Sequence, residues 1–168
     1  MEKIIVIIGP TGVGKTALSI LLGKHLDTET ISSDSMQIYK HMDIGTAKPS
    51  LEEMQGIKHH MIDIVEPWEY YSTGEYIKDV KPIIKAIHEK GKIPVIAGGT
   101  GLYIKAMTRG IFKGPSADWE LRNALLKKEE EEKGYLYEYL RSVDPIAASR
   151  IMPNDLRRVV RALEVCLK

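Results

Sequence analysis

Apolar positions along this chain follow two rhythms. Short unbroken runs come first. Ile4, Ile5, Val6, Ile7 and Ile8 form a β-branched run with the length of a buried parallel strand. Residues 29–33 predict a second strand, residues 60–65 a third closed by Glu66 and Pro67, and residues 93–97 a fourth. Helical spacing separates these runs. Ala17, Leu18, Leu21, Leu22 and Leu26 recur after the first strand, and Leu102, Tyr103 and Ile104 follow the fourth. Ser50 with Glu53, and Ser72 with Glu75, have capping-box spacing. The first predicts a short helix from Leu51 that Gly56 stops. The second opens an amphipathic helix with Tyr76, Ile77, Val80, Ile83, Ile84 and Ile87 on one side, ended by Gly91, with a kink expected at Pro82. Glycine and proline between Gly45 and Pro49 read as loop. Strands that alternate with helices predict βαβ units, hence an α/β fold with a parallel sheet covered on both faces.

The pattern changes after about Gly114. No strand rhythm occurs in residues 118–168, and helices are expected over 118–133, 135–142, 145–151 and 155–168. Gly134, Asp144 with Pro145, and Pro153 with Asn154 punctuate them, with Asp144 and Asn154 placed as N-caps. The charged run 127–133 reads as a solvated helix face. The expected organisation is an α/β core over 1–114, a small all-helical insertion over 115–153, and a helix over 154–168 returning toward the core. A last helical pattern with no capping glycine and no following strand suggests a fragment of a longer α/β protein, the alternative being a naturally short protein.

Composition sets modest bounds. With 168 residues and 43% hydrophobic content, one α/β core is attainable. The net charge of +1 gives no global basic field, so any RNA contact needs local patches. The single Cys166 excludes an internal disulfide, fits a reducing compartment and is expected as a small buried group. No stretch approaches a membrane span, and the default expectation is a cytoplasmic, monomeric protein without membrane contact.

The strongest chemical signal lies behind the first strand. Gly9, Pro10, Thr11, Gly12, Val13, Gly14, Lys15 and Thr16 spell a complete phosphate loop between a strand and a helix. Its glycines let backbone N–H groups turn around an anion at a helix N-terminus. Lys15 supplies a cation for terminal phosphates, and the Thr16 hydroxyl can join a Mg²⁺ shell. The fold is therefore P-loop NTPase-like. In an open parallel sheet, ligands sit beyond the carboxyl ends of the strands. Asp34 leaves the second strand there, as a Mg²⁺ partner or a general base, or else as a plain turn aspartate. Gly98, Gly99 and Thr100 leave the fourth, as a close backbone approach with one hydroxyl or as a simple helix cap. No Asn-Lys-x-Asp guanine reader and no apolar run ending in Asp-Glu occurs, which argues against a GTPase or a hydrolytic ATPase. Arg109 is the sole arginine before residue 122. A site so poor in arginine suits a pyrophosphate leaving group better than in-line phosphoryl transfer.

Beyond the phosphate loop, the segments 33–40, 42–49 and 98–103, together with 115–118 and 154–165, run through the chain in a distinctive order. Ser33-Asp34-Ser35-Met36-Gln37-Ile38-Tyr39-Lys40 and Thr46-Ala47-Lys48-Pro49 are the most specific. On these motifs the sequence resembles the tRNA dimethylallyltransferase family, also called tRNA isopentenylpyrophosphate transferase, over essentially its whole length. Members run to about twice this length. The resemblance implies a phosphate loop that binds the diphosphate of dimethylallyl diphosphate, with Mg²⁺ at Thr16. It implies transfer of the prenyl group to N6 of the adenosine beside the anticodon in a tRNA stem-loop. It makes Asp34 the general base, with Lys15, Thr16 and Thr100 also catalytic. Asp34, Ser35, Met36, Gln37, Thr100, Arg122, Arg157, Arg158, Val159, Val160 and Arg161 become tRNA contacts.

By spacing, Arg157, Arg158 and Arg161 share a helix face, and in isolation that face reads as a solvated stripe pairing with the Glu run. The adjacent His59 and His60 point to opposite strand faces and read as structural. Trp68, Tyr70 and Tyr71 read as core or interface packing. The alternatives are a prenyltransferase acting on free adenine nucleotides, a P-loop small-molecule kinase, or a non-catalytic phosphate-binding module.

Overall fold

The apolar runs become strands in the computed structural model, which describes residues 3–112 and 114–168. Strands β1 (Ile5–Ile8), β2 (Thr30–Ser32), β3 (His59–His60) and β4 (Val95–Gly98) form a parallel sheet ordered β1-β4-β2-β3. Between them lie α1 (Lys15–His25), α2 (Leu51–Met54) and α3 (Thr73–Glu89), and after β4 comes α4 (Gly101–Arg109). Both capping boxes form. Ser50 and Ser72 accept the amides of Glu53 and Glu75, whose carboxylates accept the cap amides in return. The helical run of α3 continues through Pro82. Its buried Tyr76, Ile77, Val80 and Ile87 join Ile31 and Ile96 of the sheet and Tyr103 and Ala106 of α4 in one core. Each such apolar side chain contributes about 1.5–3 kcal/mol of burial. Helix α1 contributes nothing to that cluster; it packs against β4, β1 and β2.

Three expectations fail here. Strand β1 is half-buried rather than buried, with Ile8 exposed, because among the described residues it has a neighbour on one side only, β4. Helix α1 buries Ser19, Ile20 and Gly23, leaving Leu18, Leu21 and Leu26 exposed. The third strand stops at His60, because Met61 and Asp63 adopt left-handed backbone angles. The chain then returns the amides of Asp63, Ile64 and Val65 to the carbonyls of Gln37 and Ile38.

The chain divides into two units, Met1–Ile111 and Phe112–Lys168. In the second, α5 (Trp119–Glu131), α6 (Tyr135–Val143), α7 (Pro145–Ala148) and α8 (Leu156–Leu167) enclose Leu125, Leu136, Leu140, Ala148, Val159, Val160 and Leu163. Helix α8 packs on α5 and α6, so it belongs to this unit rather than standing apart from residue 154. Its N-cap is Asp155, one residue after the expected Asn154, whereas Asp144 caps α7 as expected. Cys166 is exposed, not buried, because it lies on the last turn of α8 with its sulfur 4.0 Å from Asp144 Oδ2.

Candidate functional site

Register places the three chemically marked segments side by side. Ile8 is level with Gly98 across β1 and β4, and Ser32 is level with Ala97 across β2 and β4. The phosphate loop, the Asp34 segment and the Gly98-Gly99-Thr100 segment therefore leave the sheet at one edge. Glycines set how close they come. A Cβ on Gly98 would lie 2.1 Å from the Ser33 carbonyl oxygen, and one on Gly99 would lie 3.6 Å from that of Gly9. The end of β4 is thus the spacer between the start of the phosphate loop and the residue before Asp34.

In the loop, Gly12 and Gly14 have φ of +86° and +85°, a conformation L side chains rarely adopt. Gly14 is the N-cap of α1 and offers no side chain to its first turn, whose amides are left for an external acceptor. The Lys15 ammonium folds back onto the Pro10 carbonyl at 2.6 Å, across the mouth of the loop. Thr16 sits in the first turn, and its carbonyl takes the Ser19 hydroxyl at 2.8 Å. Pro10, Thr11 and Val13 are exposed along the rim.

The Asp34 segment is tied from both sides. Asp34 Oδ1 accepts the Met36 amide at 2.9 Å, so the turn role is real. The Thr100 hydroxyl accepts the Ser35 amide at 2.9 Å and donates to Ser35 Oγ at 3.3 Å. Thr100 is the N-cap residue of α4, yet its side chain makes no cap bond. Its hydroxyl is spent on the Asp34 segment instead. Gln37 is held too: Oε1 accepts from Ser32 Oγ at 2.9 Å, and Nε2 donates to the Ala47 carbonyl at 2.9 Å. Met36 is exposed. Beneath lie Tyr76 and Tyr103, stacked with ring centroids 4.0 Å apart. Burial, then the charges of Tyr39 and Asp34, push the Tyr103 phenol up to about 12, so it stays protonated.

Sequence reasoning assigned no role to Lys48, which the structure makes the keystone of the 42–48 loop. Its ammonium donates to Asp43 Oδ1 at 2.7 Å, Asp63 Oδ1 at 2.6 Å and the Tyr39 carbonyl at 2.8 Å. Burial opposes its charge, but the two carboxylates outweigh it and hold the ammonium above its usual range. The Tyr76–Tyr103 stack was likewise missed; the helical rhythm marks Tyr76 as core without marking its partner.

The basic residues fall in the second unit. Arg157 and Arg158 are exposed on α8, with Arg158 Nε 3.3 Å from Asp155 Oδ2. Arg161 bonds the Pro115 carbonyl at 3.0 Å and pairs with Glu164. Arg122 pairs with Glu164 through Nε and Nη2 at 2.9 and 2.8 Å, its guanidinium 4.9 Å from the centre of the Trp119 ring. Arg158 and Arg161 thus pair with Asp155 and Glu164, not with the Glu run expected for the α8 stripe. Val159 and Val160, expected among the RNA contacts, turn their side chains into the core of this unit and hold α8 in place. Glu164 was overlooked, although its i,i+3 spacing from Arg161 was available as a signal.

His60 Nε2 lies 2.6 Å from Glu29 Oε2 and His59 Nδ1 lies 2.8 Å from the Ile57 carbonyl. Both are structural. Trp68 and Tyr70 are exposed in the loop before α3, so of the expected core or interface packing they take no part in the core; Tyr71 packs on the core and donates its hydroxyl to Asp79 at 2.8 Å. No helix among the described residues is long and apolar enough to cross a membrane.

Residues 37–168 match the model of the IPP transferase family. The chain is similar to the tRNA dimethylallyltransferase of Thermodesulfovibrio yellowstonii, at 61% identity over 167 residues, which covers 99% of this chain and 53% of that one. The corresponding protein of Caldanaerobacter subterraneus subsp. tengcongensis is 55% identical, with 97% of this chain and 52% of its own covered. Among solved structures, a tRNA isopentenylpyrophosphate transferase from Bacillus halodurans aligns with a TM-score of 0.66 at 46% identity, covering 98% of this chain and 55% of that one. A eukaryotic dimethylallyltransferase acting on tRNA aligns with a TM-score of 0.82 at 37% identity, covering 98% and 41%. The chain spans about half the length of the curated relatives it matches.

Proposed function

The chain belongs to the IPP transferase family, and on that premise we propose that it forms the phosphate-loop half of an enzyme that prenylates tRNA. The reaction moves a dimethylallyl group from dimethylallyl diphosphate to N6 of the adenosine next to the anticodon and releases diphosphate. The observation that carries this reading is the packing at the carboxyl edge of the sheet. There Gly98 and Gly99 bring the start of an anion cradle and the base of Asp34 against one strand end.

Each residue then has a task that suits its surroundings. The first-turn amides of α1 and the Lys15 ammonium bind the diphosphate. As the allylic C–O bond breaks, its electron pair passes to the diphosphate oxygen, and these groups stabilise the charge that grows there. The N6 lone pair of adenine forms the new C–N bond. Delocalisation into the ring makes that amine a poor nucleophile, so a base must take its proton. Asp34 accepts it. Thr100 holds the Asp34 segment through Ser35, and the base leaves its stack to reach it.

The donor set fits Mg²⁺. A hydroxyl in the first turn of α1, completed by substrate oxygens and water, is the kind of partial shell that ion accepts. Thr16 would hold the ion, which when bound neutralises charge on the leaving diphosphate.

The test uses the protein as the gene encodes it, with label in the prenyl group. Incorporation into a tRNA anticodon stem-loop supports the proposal. Transfer to free AMP, phosphate transfer from ATP, or no transfer at all would each replace it.

A further inference from the structure

We propose that Glu164 is a positioning residue that sets Arg122 and Arg161 as a rigid pair for RNA phosphate, an inference that rests on the tRNA reading above. Its side chain is 0% exposed, yet three residues converge on the carboxylate, Asp118 and Arg122 from α5 and its N-cap and Arg161 from α8 itself. Oε1 accepts the Asp118 amide, at the N-cap of α5, at 2.7 Å and Arg122 Nε at 2.9 Å. Oε2 accepts Arg122 Nη2 at 2.8 Å and Arg161 Nη1.

The arginines are pinned on further sides. Arg122 lies over the Trp119 ring, and Arg161 also bonds the Pro115 carbonyl. The segment leading into α5 also runs close beside Arg161: a Cβ added at Gly114 would stand 3.1 Å from its Nη2. Fixing α5 on α8 does not require ions, since a buried ion pair stabilises no better than packed apolar groups of the same volume. What the trio gives that an apolar contact would not is a fixed guanidinium plane. The side chain of Arg161 remains 42% exposed and that of Arg122 17%. Arg161 is therefore the outward cation and Arg122 the inner one, both oriented before RNA arrives. Guanidinium forks bind phosphate through directed N–H bonds, so orientation matters as well as charge.

Charge alone and orientation give opposite signs for one substitution, which makes the test sharp. Glu164→Gln removes a negative charge beside two cations, so a purely electrostatic patch would bind RNA more tightly. Positioning requires the reverse. The affinity of an anticodon stem-loop is measured at fixed salt for the protein as encoded, for Glu164→Gln, for Arg122→Lys and for the double variant. Steady-state kinetics are taken on each, below its melting temperature.

The expected result is roughly tenfold weaker RNA binding in Glu164→Gln, seen as a raised KM for tRNA with kcat and the KM for dimethylallyl diphosphate unchanged. The double variant should be little worse than either single one. A general loosening would lower kcat too and overturn the proposal. Unchanged or tighter RNA binding by Glu164→Gln would overturn it while leaving the tRNA reading intact. Should Glu164→Gln not fold, Arg122→Lys decides alone, since it keeps the charge and loses the side-on pair; full RNA affinity there overturns the proposal. An unsubstituted protein that binds no RNA overturns both readings.

Discussion

On the proposed reading Asp34 serves two demands with one carboxylate, and that makes its substitution informative. Oδ1 fixes the turn by accepting the Met36 amide, a bond that an asparagine can keep. Asp34→Asn should therefore preserve the segment and donor binding while slowing prenyl transfer by roughly 10²–10⁴-fold. Single-turnover rates with both substrates saturating check this, and a near-normal rate would leave Asp34 a turn residue only. Lys15→Ala should act earlier, weakening diphosphate binding as well as turnover, which calorimetry with the donor reads directly. Glu164 offers a residue-scale pH test. Arg122 foremost, opposed by burial and aided by the Asp118 amide and Arg161, holds its carboxyl down from 4.5 to about 2. A depressed carboxylate stabilises the fold fully above its unfolded value and loses that contribution as pH falls through the folded one. Melting temperature should thus drop between about pH 4.5 and 2, and the drop should be smaller in Glu164→Gln. Asp34, Lys15 and Thr16 could be named as candidates from the sequence because each belongs to a contiguous motif. The link from Thr100 to Ser35 spans 65 residues and became visible only once β2 and β4 were neighbours.

At the scale of elements, the helices were legible because their ends carry chemistry. Both capping boxes, the Asp144 cap and the stop after α3 follow from local hydrogen bonding that neighbouring side chains dictate. Which face an element buries was less legible. Helix α1 turns Ser19, Ile20 and Gly23 inward and leaves Leu18 and Leu21 exposed, and at Gly23 a bulkier side chain would meet Ile57 Cγ2 at 2.9 Å. The third strand failed for a backbone reason, left-handed angles at Met61 and Asp63 that no apolar rhythm reveals. The close approach that matters most for function is also between elements. With the Ser33 carbonyl oxygen 2.1 Å from where a Cβ would stand, Gly98→Ala must push the ends of β2 and β4 apart. The expected cost is about 1–3 kcal/mol of stability together with a loss of turnover larger than any loss of donor affinity, because the Asp34 segment shifts. Thermal melts and donor binding on the same variant separate the two effects. Full activity with normal stability would mean that the close approach is incidental.

For the whole molecule, the division into two units assigns different physics to each. The first carries the anion cradle and the carboxylate at one sheet edge, in a region with almost no arginine. The second is all helix, and on α8 it bears Arg157 and Arg158 exposed beside the braced Arg161. The net charge of +1 over these 168 residues gives no global field for a polyanion, so on the proposed reading their contribution to RNA affinity lies in this local group. Its thermodynamic mark is counterion release, which scales with the number of phosphates the cations neutralise. Arg157→Gln combined with Arg158→Gln leaves the Glu164 trio and the α8 core untouched, so fold stability should change by less than about 1 kcal/mol. In the protein as encoded, the slope of log affinity for tRNA against log salt should flatten by about one to two units, while donor affinity stays constant. A salt series by fluorescence anisotropy measures the slope. An unchanged slope with unchanged affinity would show that these two arginines are ordinary solvated charges, and the RNA grip would then have to lie with Arg161 and residues outside α8.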